Sequence, residues 1–369
     1  MGVLKRYIVP IFVWILVLCY IVCAAGISRK RIAGYSIKSL NIEIADSTAD
    51  NNLVTDKLVR EWLSHGNIGT IGTRIEDADL TGIERCIESN GFVKSATAYT
   101  STNGVLYIKV TQRKPSARIM TDGYDVYVTA DGRVFHAPEE SKVYLPIVTG
   151  GYTPPFPTGF DGQVRSYTDT LISGSNGYMA EVNRLDIKYA EKRKEYKAIN
   201  SERRASNRRK VKKRFLESED KFQVRKENLD KEKALKNEIA NREMRSKRYE
   251  MKLIDTLRSE QLALIKKEEK KYEDFLKLIN FVEQIEQNSF WRSEIVQIIA
   301  DSTGESGALT LELIPRSGNF TILFGEIENT DAKMAKLLRF YNEGLKHIGW
   351  DYYSTIDISC DGQVICRKS

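Results

Sequence analysis

Residues that commonly bind metals or carry out catalysis are scarce in this sequence. Its 369 residues include 3 histidines and 5 cysteines, which are too scattered for a metal-binding module or a disulfide framework. Also absent are the motifs GxxxxGKS/T, GxGxxG, HExxH, GxSxG and CxxC, which mark phosphate loops, dinucleotide sites, zinc proteases, hydrolase nucleophiles and redox centres. We therefore expect a protein that is not an enzyme and that uses neither a cofactor nor a metal.

Glycine and proline are missing from one long stretch. Neither occurs between Gly177 and Gly304, and residues 184–273 carry about 30 Lys and Arg against about 18 Asp and Glu. This composition predicts a charged helical insertion at 179–271, a coiled-coil hairpin that turns around 217–230. We expect no nucleic-acid binding, because acidic residues accompany the basic ones, and the sequence identifies no other ligand. A thin apolar seam is predicted to join the two helices: Val211, Phe215, Phe222 and Leu229.

A long hydrophobic run occurs at the N-terminus. Residues 7–27 contain no charged side chain, and a helix of that length can cross the hydrocarbon core of a membrane. We expect a transmembrane helix at 7–28 after a short tail at 1–6; a cleaved signal peptide ending at Ala25 is the alternative. Basic residues flank both ends, so charge alone leaves the orientation open.

The rest of the sequence shows strand and helix patterns that predict two α+β domains. The first has the order β-α-α-β-β, at 35–45, 53–63, 80–88, 92–99 and 105–111. Strands at 124–130, 133–136 and 143–148 precede the insertion. After it we expect a helix at 275–288, strands at 294–300, 308–314 and 320–324, and a helix at 332–347.

The chain is predicted to end in a β-hairpin. Its strands are 354–360 and 363–368, joined by a two-residue turn at Asp361-Gly362. In that register Cys366 pairs with Asp357, and Cys360 and Cys366 point to opposite faces, which disfavours a disulfide between them.

Short motifs along the chain resemble the FtsQ/DivIB family of bacterial cell-division proteins, in its Bacteroidetes-like form. DLTGIE at 79–84 and SNGFV at 89–93 resemble that family's POTRA domain. The most specific motifs are C-terminal: NSFW at 288–291, ELIPRSGN at 312–319, KLLRFY at 336–341 and GQV at 362–364. The resemblance implies a POTRA-like domain at 34–113 and a second α+β domain, the family's "β domain", in two parts at 114–178 and 272–369. The insertion is a departure from the family pattern.

The resemblance also implies a function. It indicates a non-enzymatic divisome scaffold in the inner membrane, spanning it once, with the N-terminus cytoplasmic and the bulk of the chain periplasmic. Its partners during septum formation would be FtsB-like and FtsL-like proteins, which add a strand to the C-terminal edge of the β domain. The expected partner-binding residues are Ile358, Cys360, Val364, Ile365, Cys366 and Arg367.

Other interpretations stay open at this point. Ile358 and Val364 could face the core instead of a partner. An exposed strand of the POTRA-like domain is a second candidate surface. The chain could also be a POTRA-bearing envelope chaperone or translocation component that binds extended polypeptides, or a membrane-tethered basic coiled coil whose globular parts only support the arm.

Overall fold

The structure is a computed structural model that describes residues 14–23, 35–45, 53–136, 143–304 and 307–368. Residues 14–23 form a helix, α1, with exposed side chains; the tail at 1–6 and the rest of the predicted span at 7–28 lie outside the described residues. Within the described part of the chain, no helix is both long enough and apolar enough to cross a membrane. The described residues belong to two compact units, one drawn from 1–153, 157–162 and 277–369, the other from 154–156 and 163–276.

The first unit contains the predicted β-α-α-β-β domain. Its sheet has the order β1-β3-β2, with β1 parallel and β2 antiparallel to β3. Both helices begin where a side chain caps them: Thr55 Oγ1 accepts from the amide of Leu58, and Asp79 Oδ1 accepts from the amide of Gly82. The elements are β1 Ser39–Ala45, α2 Asp56–His65, α3 Leu80–Glu88, β2 Val93–Thr100 and β3 Val105–Gln112.

A larger sheet fills the rest of the first unit. Nine strands that lie wholly within this unit follow the order β13-β12-β11-β10-β9-β7-β4-β5-β6, so strands from before and after the insertion meet where β7 pairs with β9. They are β4 Pro115–Thr121, β5 Tyr124–Thr129, β6 Arg133–His136, β7 Ile147–Thr149, β9 Ile295–Asp301, β10 Thr310–Pro315, β11 Thr321–Glu326, β12 Tyr353–Asp357 and β13 Ile365–Lys368. The two-residue β8, Gly162–Gln163, lies where the chain passes to the second unit.

Strand β4 was not predicted, because Pro115 suggested a boundary there. Proline is compatible with the first residue of a strand, and Pro115 occupies that position in β4. β4 pairs with β5 on one side and β7 on the other, so it is an interior strand.

The two sheets of the first unit share one hydrophobic core. Ile83 and Ile87 of α3 and Leu106 and Ile108 of β3 cluster with Phe135 of β6. Phe92 meets Phe135 edge to face, with ring centroids 5.6 Å apart. The β-α-α-β-β domain and the start of the larger sheet therefore pack as one body.

Five helical segments of this unit are described after the insertion. The end of helix α6, Glu219–Gln287, buries Phe281, whose ring lies 4.7 Å from that of Phe324 on β11. After it come α7 Ser289–Glu294, α8 Thr330–Phe340, a π-helical turn Tyr341–Leu345 and α9 Lys346–Ile348.

The second unit contains the insertion, which is a helical hairpin. Helix α4, Val164–Ser173, leads into α5, Tyr178–Arg208, and α6 returns antiparallel to α5. Asp186 pairs with Arg258 at 2.7 Å near one end, and Arg209 with Glu232 at 3.9 Å near the other. The turn occupies 209–218, which is earlier than the predicted 217–230.

The predicted apolar seam is wrong in part. Phe215 lies in the turn and is almost fully exposed, and Val211 and Phe222 are only half-buried. Other contacts join the helices: Val182 of α5 and Ile265 of α6 share a small apolar cluster. Farther along, Arg203 donates to Asn241 at 2.9 Å, and Arg248 stacks 5.3 Å from the ring of Tyr196. Sequence periodicity alone did not identify these pairs, because each depends on the position of the turn.

Candidate partner-binding edge

Strand β13 is an edge of the larger sheet. It pairs antiparallel with β12, and no other described strand lies beside it. Alternate residues of such a strand therefore direct their backbone N–H and C=O groups away from the sheet. The order of strands agrees with the predicted terminal edge.

The predicted register of this hairpin is wrong. Cys366 lies opposite Ile356, not Asp357, and Asp357 lies opposite Ile365. The connection is therefore the segment 358–364 and not a two-residue turn. The strand ends early because Asp357 Oδ1 accepts from the amide of Ser359 at 2.8 Å and from its hydroxyl at 2.6 Å, which starts a turn.

Ile358 is removed from the candidate surface by its burial. Its side chain is 0% exposed, like that of Ile356 two residues before it. The Ile358 amide donates to the carbonyl of Leu323 at 3.0 Å, so the chain still runs beside β11 at this point and the period of two keeps Ile358 in the core. Ile358 is a core residue, as the alternative interpretation had it.

The other predicted residues differ in exposure. Ile365 is 49% exposed and Arg367 is exposed, and both share the face of Thr355 and Asp357. Cys366 is half-buried on the opposite face, and burial raises the pKa of its thiol. Val364 is half-buried, and Cys360 is exposed in the connection. Cys360 and Cys366 are both free.

A lysine of α8 holds the connection in place, and the sequence analysis did not identify this role. Lys336 Nζ donates to the carbonyls of Ile358, at 2.9 Å, and of Cys360. One turn earlier, Lys333 is 6% exposed and donates to the carbonyls of Phe324 and Glu326 at 3.1 and 2.7 Å. Burial, and then the neighbouring Lys336 charge, lower the pKa of Lys333. The only sequence signal was the i, i+3 spacing of two lysines on a helix that otherwise buries apolar residues.

A groove of 310 Å³ lies between α8 and the connection. Lys336 and Arg339 line it from the helix, and Asp361 and Gly362 line it from the connection. Its charged lining is mainly basic, so it is suited to an acidic side chain.

The β-α-α-β-β domain has a different kind of edge at β2. The amide of Ala96 donates to Glu88 Oε1 at 2.9 Å, and the amide of Ala98 donates to Glu84 Oε1 at 2.8 Å. Both carboxylates come from α3, one turn apart. They occupy backbone donors that a partner strand would otherwise need, so β2 is a poor site for strand addition.

Among the described residues, no group of three or more His, Cys, Asp or Glu side chains is arranged to hold a metal ion. The described residues thus combine a small α+β domain with a larger sheet whose terminal edge is open, and such an edge can accept a strand from another polypeptide.

Comparisons with known families agree with this description. Residues 230–367 match the family model described as FtsQ/DivIB, C-terminal related, and residues 37–111 match the model of the POTRA-like domain. The resemblance to the FtsQ/DivIB family is confirmed, and the two matches together support an FtsQ/DivIB-family protein. These families generally consist of non-catalytic scaffold domains, and together they support a division-associated scaffold. A comparison with curated proteins finds no match.

Proposed function

We propose that this protein is a membrane-anchored scaffold of the bacterial division machinery that binds FtsB-like and FtsL-like partners by strand addition at β13. Residues 7–28 anchor it in the inner membrane, with the tail at 1–6 in the cytoplasm and the rest of the chain in the periplasm. The observation that carries the proposal is the position of β13 at the end of the sheet, in a region that matches the FtsQ/DivIB C-terminal family model.

Strand addition suits β13 because the outward backbone groups of this strand are available and because the connection before it is held in place. The β12–β13 connection is held by Lys336, so the edge is presented in a fixed register. The strand has only 4 residues and carries Arg367 and Lys368, features that discourage indiscriminate pairing with other strands. A partner must therefore supply matching side chains as well as a backbone.

The exposed face of β13 indicates what those side chains are. Ile365 and Arg367 are two residues apart and lie on the same face. A complementary strand would place an apolar residue beside Ile365 and an acidic residue beside Arg367. A second acidic residue could reach the groove at Lys336 and Arg339.

Co-purification tests the proposed interface. The full chain is expressed in its own host with Ile365→Asp and Arg367→Asp together, and FtsB-like and FtsL-like proteins are quantified in the purified complex. We expect recovery of both to fall at least about tenfold, because two exposed contacts are lost and like charges are opposed.

The matched control carries the same change on the closed edge. Thr97→Asp and Tyr99→Asp alter two exposed residues of β2 with the same spacing, and we expect normal recovery of both partners. If the β13 variant recovers as much of both partners as this control does, docking at β13 is contradicted.

Depletion distinguishes the division scaffold from the chaperone interpretation. Loss of a division scaffold produces filaments without septa, whereas loss of an envelope chaperone produces outer-membrane assembly defects while septa still form. The second phenotype would overturn the proposed function even if β13 binds a strand.

A further inference from the structure

Two large apolar side chains project from the turn of the helical hairpin. Phe215 is 95% exposed and Leu216 is 93% exposed, the highest values of any large hydrophobic residue in the described part of the chain. They are adjacent, and the backbone of Leu216 has φ of 69°, a left-handed conformation that leucine rarely adopts. Exposed apolar residues of this size at the end of a long arm indicate a contact surface.

The residues before this pair are almost all basic. Six of the seven residues at 208–214 are Lys or Arg, the exception being Val211. We call residues 208–216 the tip. Its charge is far more concentrated than that of the helices behind it, in which basic and acidic residues alternate.

The acidic residues near the tip neutralise only part of its charge. Glu217 accepts from Arg225 at 2.7 Å and from the amide of Arg214 at 2.9 Å, and these bonds lower its pKa. Glu219 is paired with Lys213 at 2.5 Å. Their charges are already engaged within the hairpin.

Four cations of the tip form no ion pair with a described acidic residue, although the charge of Arg214 helps to lower the pKa of Glu217. Arg209 pairs with Glu232 and Lys213 with Glu219. No ion pair in the described residues involves the remaining four, which are all exposed: Arg208, Lys210, Lys212 and Arg214.

We propose that the tip binds the surface of a membrane that contains anionic phospholipid. The four cations contact the phosphate-bearing headgroups, and Phe215 and Leu216 enter the boundary between headgroups and acyl chains. Membrane contact by a polybasic segment with adjacent apolar residues combines two additive terms, electrostatic attraction and apolar insertion.

A lipid surface fits the tip better than a protein does. Protein partners usually bury an apolar anchor in a pocket and surround it with contacts. A turn that ends in two neighbouring, fully projecting side chains is convex, which suits a soft, flat surface. Each basic residue near an anionic membrane increases affinity about fivefold, so four of them give substantial binding without a specific pocket.

Co-sedimentation with large vesicles tests the proposal. The full-length protein, held in nanodiscs of phosphatidylcholine, is mixed with vesicles of phosphatidylcholine alone or of phosphatidylcholine with phosphatidylglycerol. We expect binding only to the vesicles that contain phosphatidylglycerol, and weaker binding as salt is raised.

Two variants separate the contributions. Phe215→Ser with Leu216→Ser should lower vesicle affinity about fivefold to tenfold, because the apolar insertion is lost. Replacing Arg208, Lys210, Lys212 and Arg214 by Gln should lower it more than about tenfold. All six residues are exposed, so the helices should form in both variants, which circular dichroism checks.

Matched controls change the same residue types on the helices. Tyr249→Ser with Leu253→Ser removes an exposed aromatic and an exposed leucine. The charge control replaces two lysines and two arginines by Gln, all exposed: Lys226, Lys231, Arg242 and Arg245. We expect less than about twofold loss in each control.

Two results would overturn the proposal. If the wild-type protein does not bind vesicles with phosphatidylglycerol, the tip has a different ligand, such as an acidic protein surface. If the charge control loses as much affinity as the tip variant, binding depends on the net charge of the arm and not on the tip. The proposal does not depend on which partner β13 binds.

Discussion

The two sheets of this protein end in edges that are treated in opposite ways. At β2 of the POTRA-like domain, Glu84 and Glu88 accept from backbone amides of the edge strand itself. At β13 no described side chain accepts from the edge amides, and Lys336 of α8 donates to carbonyls of the connection. Charged side chains thus occupy the edge amides of β2, whereas near β13 a charged side chain holds the connection and leaves the edge amides available.

Exposure of a strand therefore does not by itself make a docking edge. Thr97 and Tyr99 of β2 are as exposed as the residues of β13. What distinguishes the strands is whether their outward backbone donors already have acceptors. A backbone amide that is already bonded must lose its acceptor before it can bind a new strand. For this reason β2 resists strand addition and β13 does not.

The largest effect is expected at the core residue below the open edge. Ile358→Ala should lower the free energy of unfolding by about 2–5 kcal/mol, because it removes a fully buried side chain and leaves a cavity. Ile365→Ala on the exposed strand should cost about 0.5 kcal/mol or less. Denaturant unfolding of the two variants measures the contrast; equal losses would show that β13 is more buried than described.

Opening the closed edge should have the next largest effect. Glu84→Ala with Glu88→Ala leaves two amides of β2 without protein acceptors, and the loss of both bonds together should cost about 1.5–3 kcal/mol, because amides at a sheet edge can bind water instead. The amides of Ala96 and Ala98 should then exchange hydrogen faster, which NMR or mass spectrometry detects. Glu76→Ala, at an exposed glutamate of the same domain, serves as the control and should change neither amide.

Releasing the connection should weaken the open edge more modestly. Lys336→Met removes the bonds to Ile358 and Cys360 while keeping the aliphatic packing, so residues 358–364 should exchange hydrogen faster. We expect partner affinity to fall about threefold to tenfold, roughly the worth of one hydrogen bond. Unchanged affinity with faster exchange would mean that the connection does not position β13.

The smallest effect is expected at an ion pair between β4 and β5. There the carboxylate accepts from a side chain and not from a backbone amide of an edge strand. Arg118 on β4 makes two bonds to Asp125 on β5, at 2.7 and 2.8 Å, and holds the pKa of Asp125 below its ordinary value. Because the pair is partly exposed, Asp125→Asn should cost only about 0.2–1 kcal/mol.

The pH dependence of that pair has a definite sign. A lowered pKa in the folded state means that the stabilisation is present above the ordinary carboxyl value of 3.8 and is lost as pH falls through the folded value. The difference in stability between wild type and Asp125→Asn should therefore disappear in acid. A difference that grows as pH falls below 3.8 would contradict the assignment.

Local sequence signals were reliable where the structure is decided by neighbouring residues. The strands at 124–130 and 133–136 and the order of the POTRA-like elements were predicted, because each rests on a pattern among adjacent side chains. The absence of glycine and proline from the insertion likewise predicted long helices, and α5 and α6 confirm this prediction. The motifs of the last hundred residues indicated the family before any fold was known.

The candidate site was harder to predict, because its details depend on contacts between distant segments. The register of β12 and β13 follows from the turn at Asp357 and Ser359 and from Lys336, more than 20 residues away. The burial of Ile358 follows from its amide bond to Leu323. Neither is encoded in the period of the strand itself, which allows either face to be buried.

Composition, helix caps and turn residues determined the sequence of elements, because these signals act over a few positions of the chain. Tertiary structure alone decided which edge is closed and which is open. An edge amide is satisfied or left free by whatever side chain the fold brings beside it, as α3 does for β2 and as no described element does for β13.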